Sequence, residues 1–317
     1  MISIVYLVVG LALLVAGGDA LVRGAVGLAE KLNVPPLIIG LTIVAFGTSA
    51  PEMFVSVGAA LNDAGGLAIG NVIGSNVANV LLVLGVPSLI KATNCSAAGI
   101  GRNMMVMLGF TIVFMGMVWE GGLERYDGAM LLALLALFII NQFQSARKFR
   151  KNATNNADYR EDVGEPPKSA IIIAALLAFG IVALPVGADF TVTGATMIAQ
   201  SFGISDEVIG LTIVAIGTSL PELATSVLAV WRKNASVALG NVVGSNIFNI
   251  AAIMGVTALV VPVPIGDAVI YGEMWVMFAT SVLLALLAHY RVTIGKRLGL
   301  AMTAGYVIFV ISAFIYP

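Results

Sequence analysis

Two stretches of this chain are nearly the same. Residues 39–57 read IGLTIVAFGTSAPEMFVSV and residues 209–227 read IGLTIVAIGTSLPELATSV; the match resumes without a gap at GNVIGSNVANV (70–80) and GNVVGSNIFNI (240–250). The offset is 170 residues throughout, and Asp19 and Asp189 keep it. Such a chain folds as two copies of one unit. What the unit is made of follows from the solvent. With 59% hydrophobic and 10% charged residues and a mean hydropathy of +1.02, a water-soluble fold would be coated in apolar surface, so most of the chain must face lipid.

Ten segments reach the length of about 20 mainly apolar residues that a spanning helix needs: 3–22, 36–61, 67–90, 103–119, 127–146, 169–199, 206–231, 237–261, 268–289 and 298–316. The expected fold is therefore all-α and integral to the membrane. Ten transmembrane helices form two five-helix repeats, 1–146 and 169–317, joined by a flexible polar linker over 147–168. Lys and Arg are retained on the cytoplasmic side. On this span count 15 of the 16 fall in loops on the linker's side, and only Arg125 falls on the other. The linker is thus expected to be cytoplasmic, with both termini outside a plasma (inner) membrane. Five spans separate equivalent positions, and five is odd, so the second copy enters the membrane from the opposite side. An inverted pair with polar residues at mid-depth is the pattern of an alternating-access transporter.

Several classes drop out on composition. No basic patch points to nucleic acid, and no protein partner is expected beside the lipid bilayer. Cys95, the sole cysteine, excludes an intrachain disulfide and a thiolate cluster and reads as a small buried residue. No basic residue precedes the apolar run 1–17, which continues past Asp19, so cleavage of a leader is not expected. His289, the sole histidine, falls at the inner end of the ninth span, far from both GTS motifs. An intramembrane hydrolase with an activated serine is therefore disfavoured, and the chain is not read as an enzyme.

Glu52 and Glu222 fall near mid-span, where an unpaired carboxylate costs several kcal/mol, so they face a cavity or an ion. Pro51 and Pro221 precede them and lack the N–H that would bond the carbonyls of Gly47 and Gly217, so each helix should kink or open there. Freed carbonyls at that depth require protein, water or an ion. Ala45, Thr48, Ser49 and Glu52 share one helical face, and Ser75 and Asn79 lie four apart on the next span. Gly70 and Gly74 let helices approach closely, and the second copy repeats the set with Gly240, Gly244, Ser245 and Asn249. Asp19 and Asp189 fall towards span ends and read as structural hydrogen-bonding groups. The resulting donor set is all oxygen. It suits a hard cation such as Ca²⁺, which takes six to eight oxygens, better than Mg²⁺, which resists dehydration, or metals that prefer nitrogen and sulfur. A cation channel shares this chemistry, but the inverted duplication argues for exchange.

The motifs GTSAPE (47–52), GTSLPE (217–222), GNVIGSN (70–76) and GNVVGSN (240–246) resemble the alpha repeats of the cation/calcium exchanger superfamily, closest to the prokaryotic sodium/calcium exchangers. The resemblance covers all ten spans. It implies antiport of Ca²⁺ against Na⁺, both transported ions and neither a cofactor. It further implies a calcium site from Glu52 and Glu222 with Thr48 and Thr218, and sodium sites drawing on Ala45, Ser49, Ser75, Ala215, Ser219 and Ser245. Asn79 and Asn249 line the centre. Asn249 stands where the potassium-dependent branch carries Asp, which disfavours potassium co-transport. The valines after Gly70-Asn71 and Gly240-Asn241 replace the glutamate of the proton/calcium branch, which favours sodium. An exchanger coupled to H⁺ or Mg²⁺ is the alternative within the superfamily. The short linker leaves no room for a separate regulatory domain.

Overall fold

In the computed structural model the described residues are 2–95, 97, 99–119, 121–152, 167, 169–204, 213, 215–266 and 269–315. The chain is mostly helical. Its principal helices are α1 (Ile2–Leu32), α2 (Pro36–Thr48), α3 (Ala50–Leu61), α4 (Gly65–Ile90), α5 (Ile100–Val118), α6 (Arg125–Asn152), α7 (Ala170–Ser201), α8 (Leu220–Trp231), α9 (Ala235–Val260), α10 (Val269–His289) and α11 (Lys296–Ile315). Among the described residues seven helices are long and apolar enough to cross a membrane, and eight if the bent pair α2–α3 is one crossing. This is a multi-pass membrane protein.

The helices differ from the expected spans at informative places. The first helix runs to Leu32, ten residues past its expected end, carrying Arg23 and Lys31 on helix and not in a loop. The expected linker is overtaken at its start, since α6 continues through Arg147, Lys148, Arg150 and Lys151 to Asn152. Good helix formers extend a helix beyond the apolar run, and hydropathy alone does not see this. Residues 153–166 and 168 of the linker lie outside the described residues. An all-α fold is also slightly too simple: Thr93–Asn94 (β1) pairs antiparallel with Thr293–Ile294 (β4), and Gly122–Leu123 (β2) with Val263–Pro264 (β3).

These small sheets expose the symmetry of the packing. Val263 stands 170 residues after Thr93 and Ile294 stands 171 after Leu123, so each copy lends one strand to each sheet and the two pairings correspond to within one residue of the repeat offset. The same holds between the long helices α1 and α7. A Cβ on Gly187 would lie 2.9 Å from the Gly10 carbonyl oxygen, and one on Gly180 2.8 Å from that of Gly17. Backbones this close replace side-chain interdigitation with the small-residue packing common in membranes. Three turn positions also share a left-handed backbone across the offset: Asn33 and Gly203, Asp63 and Lys233, Gly121 and Arg291. Residues as unlike as Asp and Lys adopt it, so the turn is set by the fold around it.

The axis relating the copies runs through the middle of the bundle. Thr111 Oγ1 and Ser281 Oγ, one offset apart, are hydrogen-bonded at 3.3 Å, and the Asn246 amide donates to the Asn76 carbonyl at 3.4 Å. The Asn76 amide also reaches Met277 Sδ at 3.5 Å, and the Asn246 amide reaches the equivalent Met107 Sδ at 3.6 Å. Around this axis α4 and α9 are the buried centre, with 72% and 89% of their spanning windows enclosed, against 33% for α1 and 28% for α7. The helices that carry the repeated GSN motifs are thus shielded from lipid by the others. Cys95 is fully buried, and burial pushes its thiol up to about 11. His289 ends α10 at an exposed position, edge-on to Tyr290.

Candidate cation-binding site

Each copy interrupts its helix at the same residue. Ser49, with φ −84° and ψ 3°, separates α2 from α3 with a bend of 44°. Ser219, with φ −87° and ψ 2°, separates the helical turn Ala215–Gly217 from α8. Pro51 and Pro221 sit in the first turn after the break, where a missing N–H costs nothing, and the expected kink is there. Glu52 and Glu222 follow in that first turn. A carboxylate is favoured there by the partial positive charge of a helix N-terminus. Both side chains are 1% exposed. The π-helical turns Gly40–Val44 in α2 and Asn249–Ile253 in α9 flank the region, a distortion found often at functional sites.

The two breaks face each other. Ser49 Oγ donates to Glu222 Oε1 at 3.3 Å. Thr48 Oγ1 is shared among the Ala45 carbonyl at 3.3 Å, Asn241 Oδ1 at 3.1 Å and Ser245 Oγ at 3.4 Å. Residues from the first copy therefore touch residues from the second. Behind each glutamate an asparagine secures the backbone: Asn71 Nδ2 donates to the Glu52 carbonyl at 3.3 Å and to Ser56 Oγ at 3.0 Å. Asn241 Nδ2 donates to the Glu222 carbonyl at 3.5 Å and to Ser226 Oγ at 3.3 Å. Asn71, Asn241, Ser56 and Ser226 were not among the expected site residues. They lie in the repeated blocks, and their shared offset was the signal that could have marked them.

The remaining polar atoms give the site its chemistry. Glu52 Oε2, Glu222 Oε2, both amide atoms of Asn79 and of Asn249, and Ser219 Oγ are buried with no partner among the described residues. Unpaired oxygens at this depth are costly unless something binds them. Ser75 and Ser245 are buried, Thr218 is half-buried, and the backbone of Ala215 opens the helical turn before it. Among the described residues no group of three or more His, Cys, Asp or Glu could hold a metal ion. Among the described residues the two carboxylates are the acids of the site, and its other donors are neutral. Such a set fits a hard cation of low to moderate charge held by oxygens.

Two expectations fare differently. Gly240 and Gly244 pack hard on α2, where added Cβ atoms would lie 2.6 Å from the Leu37 carbonyl oxygen and 2.6 Å from Ala45 Cβ. The equivalent partners of Gly70 and Gly74 fall in 207–215, largely outside the described residues. Asp19 is paired with Arg232 and, at 3.8 Å, with Arg23, a structural role. Asp189 is exposed and has no such partner among the described residues.

The sequence matches the family described as sodium/calcium exchanger protein over residues 2–144 and 172–315. The chain belongs to that family. Its fold agrees: a structure of the sodium-calcium exchanger NCX_Mj, soaked with 10 mM Na⁺ and 10 mM Sr²⁺, superposes with a TM-score of 0.82 at 34% identity, covering 98% of this chain and 97% of that one. Among relatives of this exchanger-family chain, the inner membrane protein YrbG of Escherichia coli is 37% identical over 305 residues, 95% of this chain and 94% of its own. The sodium/calcium exchanger MaX1 of Methanosarcina acetivorans is 31% identical over 349 aligned positions, 99% of each chain. As a family member this exchanger is a membrane antiporter, and calcium and other cations are the cargo of its class.

Proposed function

We propose that this chain exchanges Ca²⁺ for Na⁺ across the membrane by alternating access, using one site between two inverted repeats. One observation carries the reading: two buried carboxylates at equivalent positions, each at a helix break, meet across the copies through the Ser49–Glu222 hydrogen bond, with oxygens around them that lack partners. Two carboxylates balance one Ca²⁺ or two Na⁺, so either cargo leaves the site near neutral and the cations compete for it. Glu52, Glu222, Thr48 and Thr218 hold calcium. Ala45, Ser49 and Ser75 with Ala215, Ser219 and Ser245 supply sodium ligands, and Asn79 and Asn249 line the centre between them. Coupling to sodium is supported by the names of NCX_Mj and MaX1, to which this chain is similar throughout its length.

The repeats are 1–146 and 169–317, the linker faces the cytoplasm, and the membrane is the inner one, as the name of YrbG has it for that relative. Ten spans result when α8 joins the segment before it and α11 is counted with the eight above. Vesicle flux tests the function. Purified protein in sealed proteoliposomes loaded with Na⁺ should take up Ca²⁺ when diluted into sodium-free medium. Uptake that follows a proton gradient and ignores Na⁺ would replace this reading with the proton-coupled one.

A further inference from the structure

A cavity of about 410 Å³ opens between α2 and α6, away from the carboxylates. Its walls are apolar, with Ile38 and Ile43 on α2 facing Ile139 and Phe143 on α6. Ile139 and Phe143 are also exposed on the outside of the bundle, so the cavity is continuous with the lipid phase. One end is basic. Arg147 and Arg150 line it, three residues apart on one face of α6, and the Arg147 guanidinium stacks 4.6 Å over the Phe143 ring. Among the described residues the ion pairs are those of Asp19 with Arg23 and Arg232, so neither arginine has an acidic partner there.

Below the arginines stands Gln142, which is 2% exposed and lines the same cavity. Its orientation is settled by its neighbours. The Asn103 amide nitrogen donates to the Gly99 carbonyl, which leaves Asn103 Oδ1 as the acceptor and requires Gln142 to present Nε2 to it. Gln142 Oε1 then points elsewhere, buried with no partner among the described residues. The cavity thus combines an apolar slot with two cations at one end that have no acidic partner among the described residues. From Ile139 to Arg150 the helix rises about 16 Å, enough to lie along most of an acyl chain.

We propose that this cavity binds one anionic phospholipid from the leaflet the linker faces. The phosphate lies between Arg147 and Arg150, and one acyl chain fills the slot between α2 and α6. Phosphatidylglycerol has both features. The assignment is independent of which cations the site carries, and it places the lipid against α2, the helix that bears Thr48.

Native mass spectrometry of the full-length protein titrated with phosphatidylglycerol, phosphatidylcholine and inorganic phosphate tests this. One phosphatidylglycerol should bind at concentrations where neither of the others does. Arg147→Gln and Arg150→Gln should each weaken it about fivefold, with the melting temperature of the lipid-free protein unchanged because both side chains are exposed. Lys148→Gln, which removes the same charge one residue away and outside the cavity, should leave binding as it was. Equal binding of phosphatidylcholine, equal loss in all three variants, or tight binding of phosphate alone would each overturn the proposal. So would binding that appears only after Asp158, Glu161, Asp162 and Glu165 are neutralised, since the linker would then be the native occupant.

Discussion

Glu52→Gln and Glu222→Gln probe the proposed site most directly. Each variant keeps the size of the side chain and one carbonyl oxygen. Each also puts an amide donor at Oε2, an atom with no partner among the described residues, where a cation needs an acceptor. Removing one charge from a buried, charge-balanced set costs about 3–5 kcal/mol. At 1.4 kcal/mol per factor of ten, calcium affinity should fall roughly 150- to 5000-fold. The Coulomb part of the loss scales with the charge of the ion, so Na⁺ should lose about half as much free energy, on the order of tenfold to seventyfold. The variants should therefore weaken Ca²⁺ more than Na⁺ and with similar severity, since the two glutamates occupy equivalent places. The measurement is sodium-driven calcium uptake into proteoliposomes per unit of folded protein, with half-saturation for each ion. A calcium half-saturation within tenfold of the parent in either variant refutes the reasoning.

Four further outcomes follow from particular contacts. Ser49→Ala removes the 3.3 Å bond to Glu222, worth about 1.5 kcal/mol for a charged acceptor. It should change ion half-saturation roughly tenfold, and more than Ser219→Ala, whose hydroxyl has no described partner. Gly180→Ala pushes a methyl group within 2.8 Å of the Gly17 carbonyl oxygen and should lower stability by about 1–3 kcal/mol in a thermal melt. Gly109→Ala, with no described atom within 4 Å, should leave the melt alone. Asn249→Asp adds a third acid to the cavity and should make calcium transport newly sensitive to K⁺ or to pH in the same vesicles. Because Cys95 is fully buried with its thiol pushed up to about 11, the parent protein should resist maleimide; a cysteine at Asp63 should then label from outside and one in 153–166 only from the cytoplasm.

Much of the candidate site was legible because the duplication filters chance. A single GTSAPE could be a kinked packing helix, but at a constant offset the second copy makes the polar residues a set. The helix breaks were legible too, since a proline removes a known hydrogen bond, and they stand at Ser49 and Ser219. Helix ends were less so. Hydropathy locates lipid contact and not backbone conformation, which is why α1 runs on to Leu32 and α6 to Asn152. The two-residue strands carry almost no signal at all. Thr93 and Ile294 pair because the helices on either side bring the loops together.

What repetition could not supply is who faces whom. Aligning the copies places Ser49 on Ser219 and Glu52 on Glu222, a correspondence that suggests Ser49 belongs with its own Glu52. The fold does otherwise: Ser49 bonds to Glu222 and Thr48 to Asn241 and Ser245, across the copies. The reason lies in the axis. Residues next to it, such as Asn76 with Asn246 and Thr111 with Ser281, meet their own counterparts; farther out, a contact between the copies joins a residue to the counterpart of a different one, as Gly10 meets Gly187, the counterpart of Gly17. A carboxylate from one copy held by a hydroxyl from the other makes the site sensitive to the relative position of the two halves. On the proposed mechanism that sensitivity is what couples cation binding to their movement. The cross-copy bond should then be the more fragile element: a double-mutant cycle on Ser49→Ala and Glu222→Gln should show coupling beyond about 0.5 kcal/mol, while Ser49→Ala with Glu52→Gln should be closer to additive. Equal coupling in both pairs would mean that the site does not read the interface.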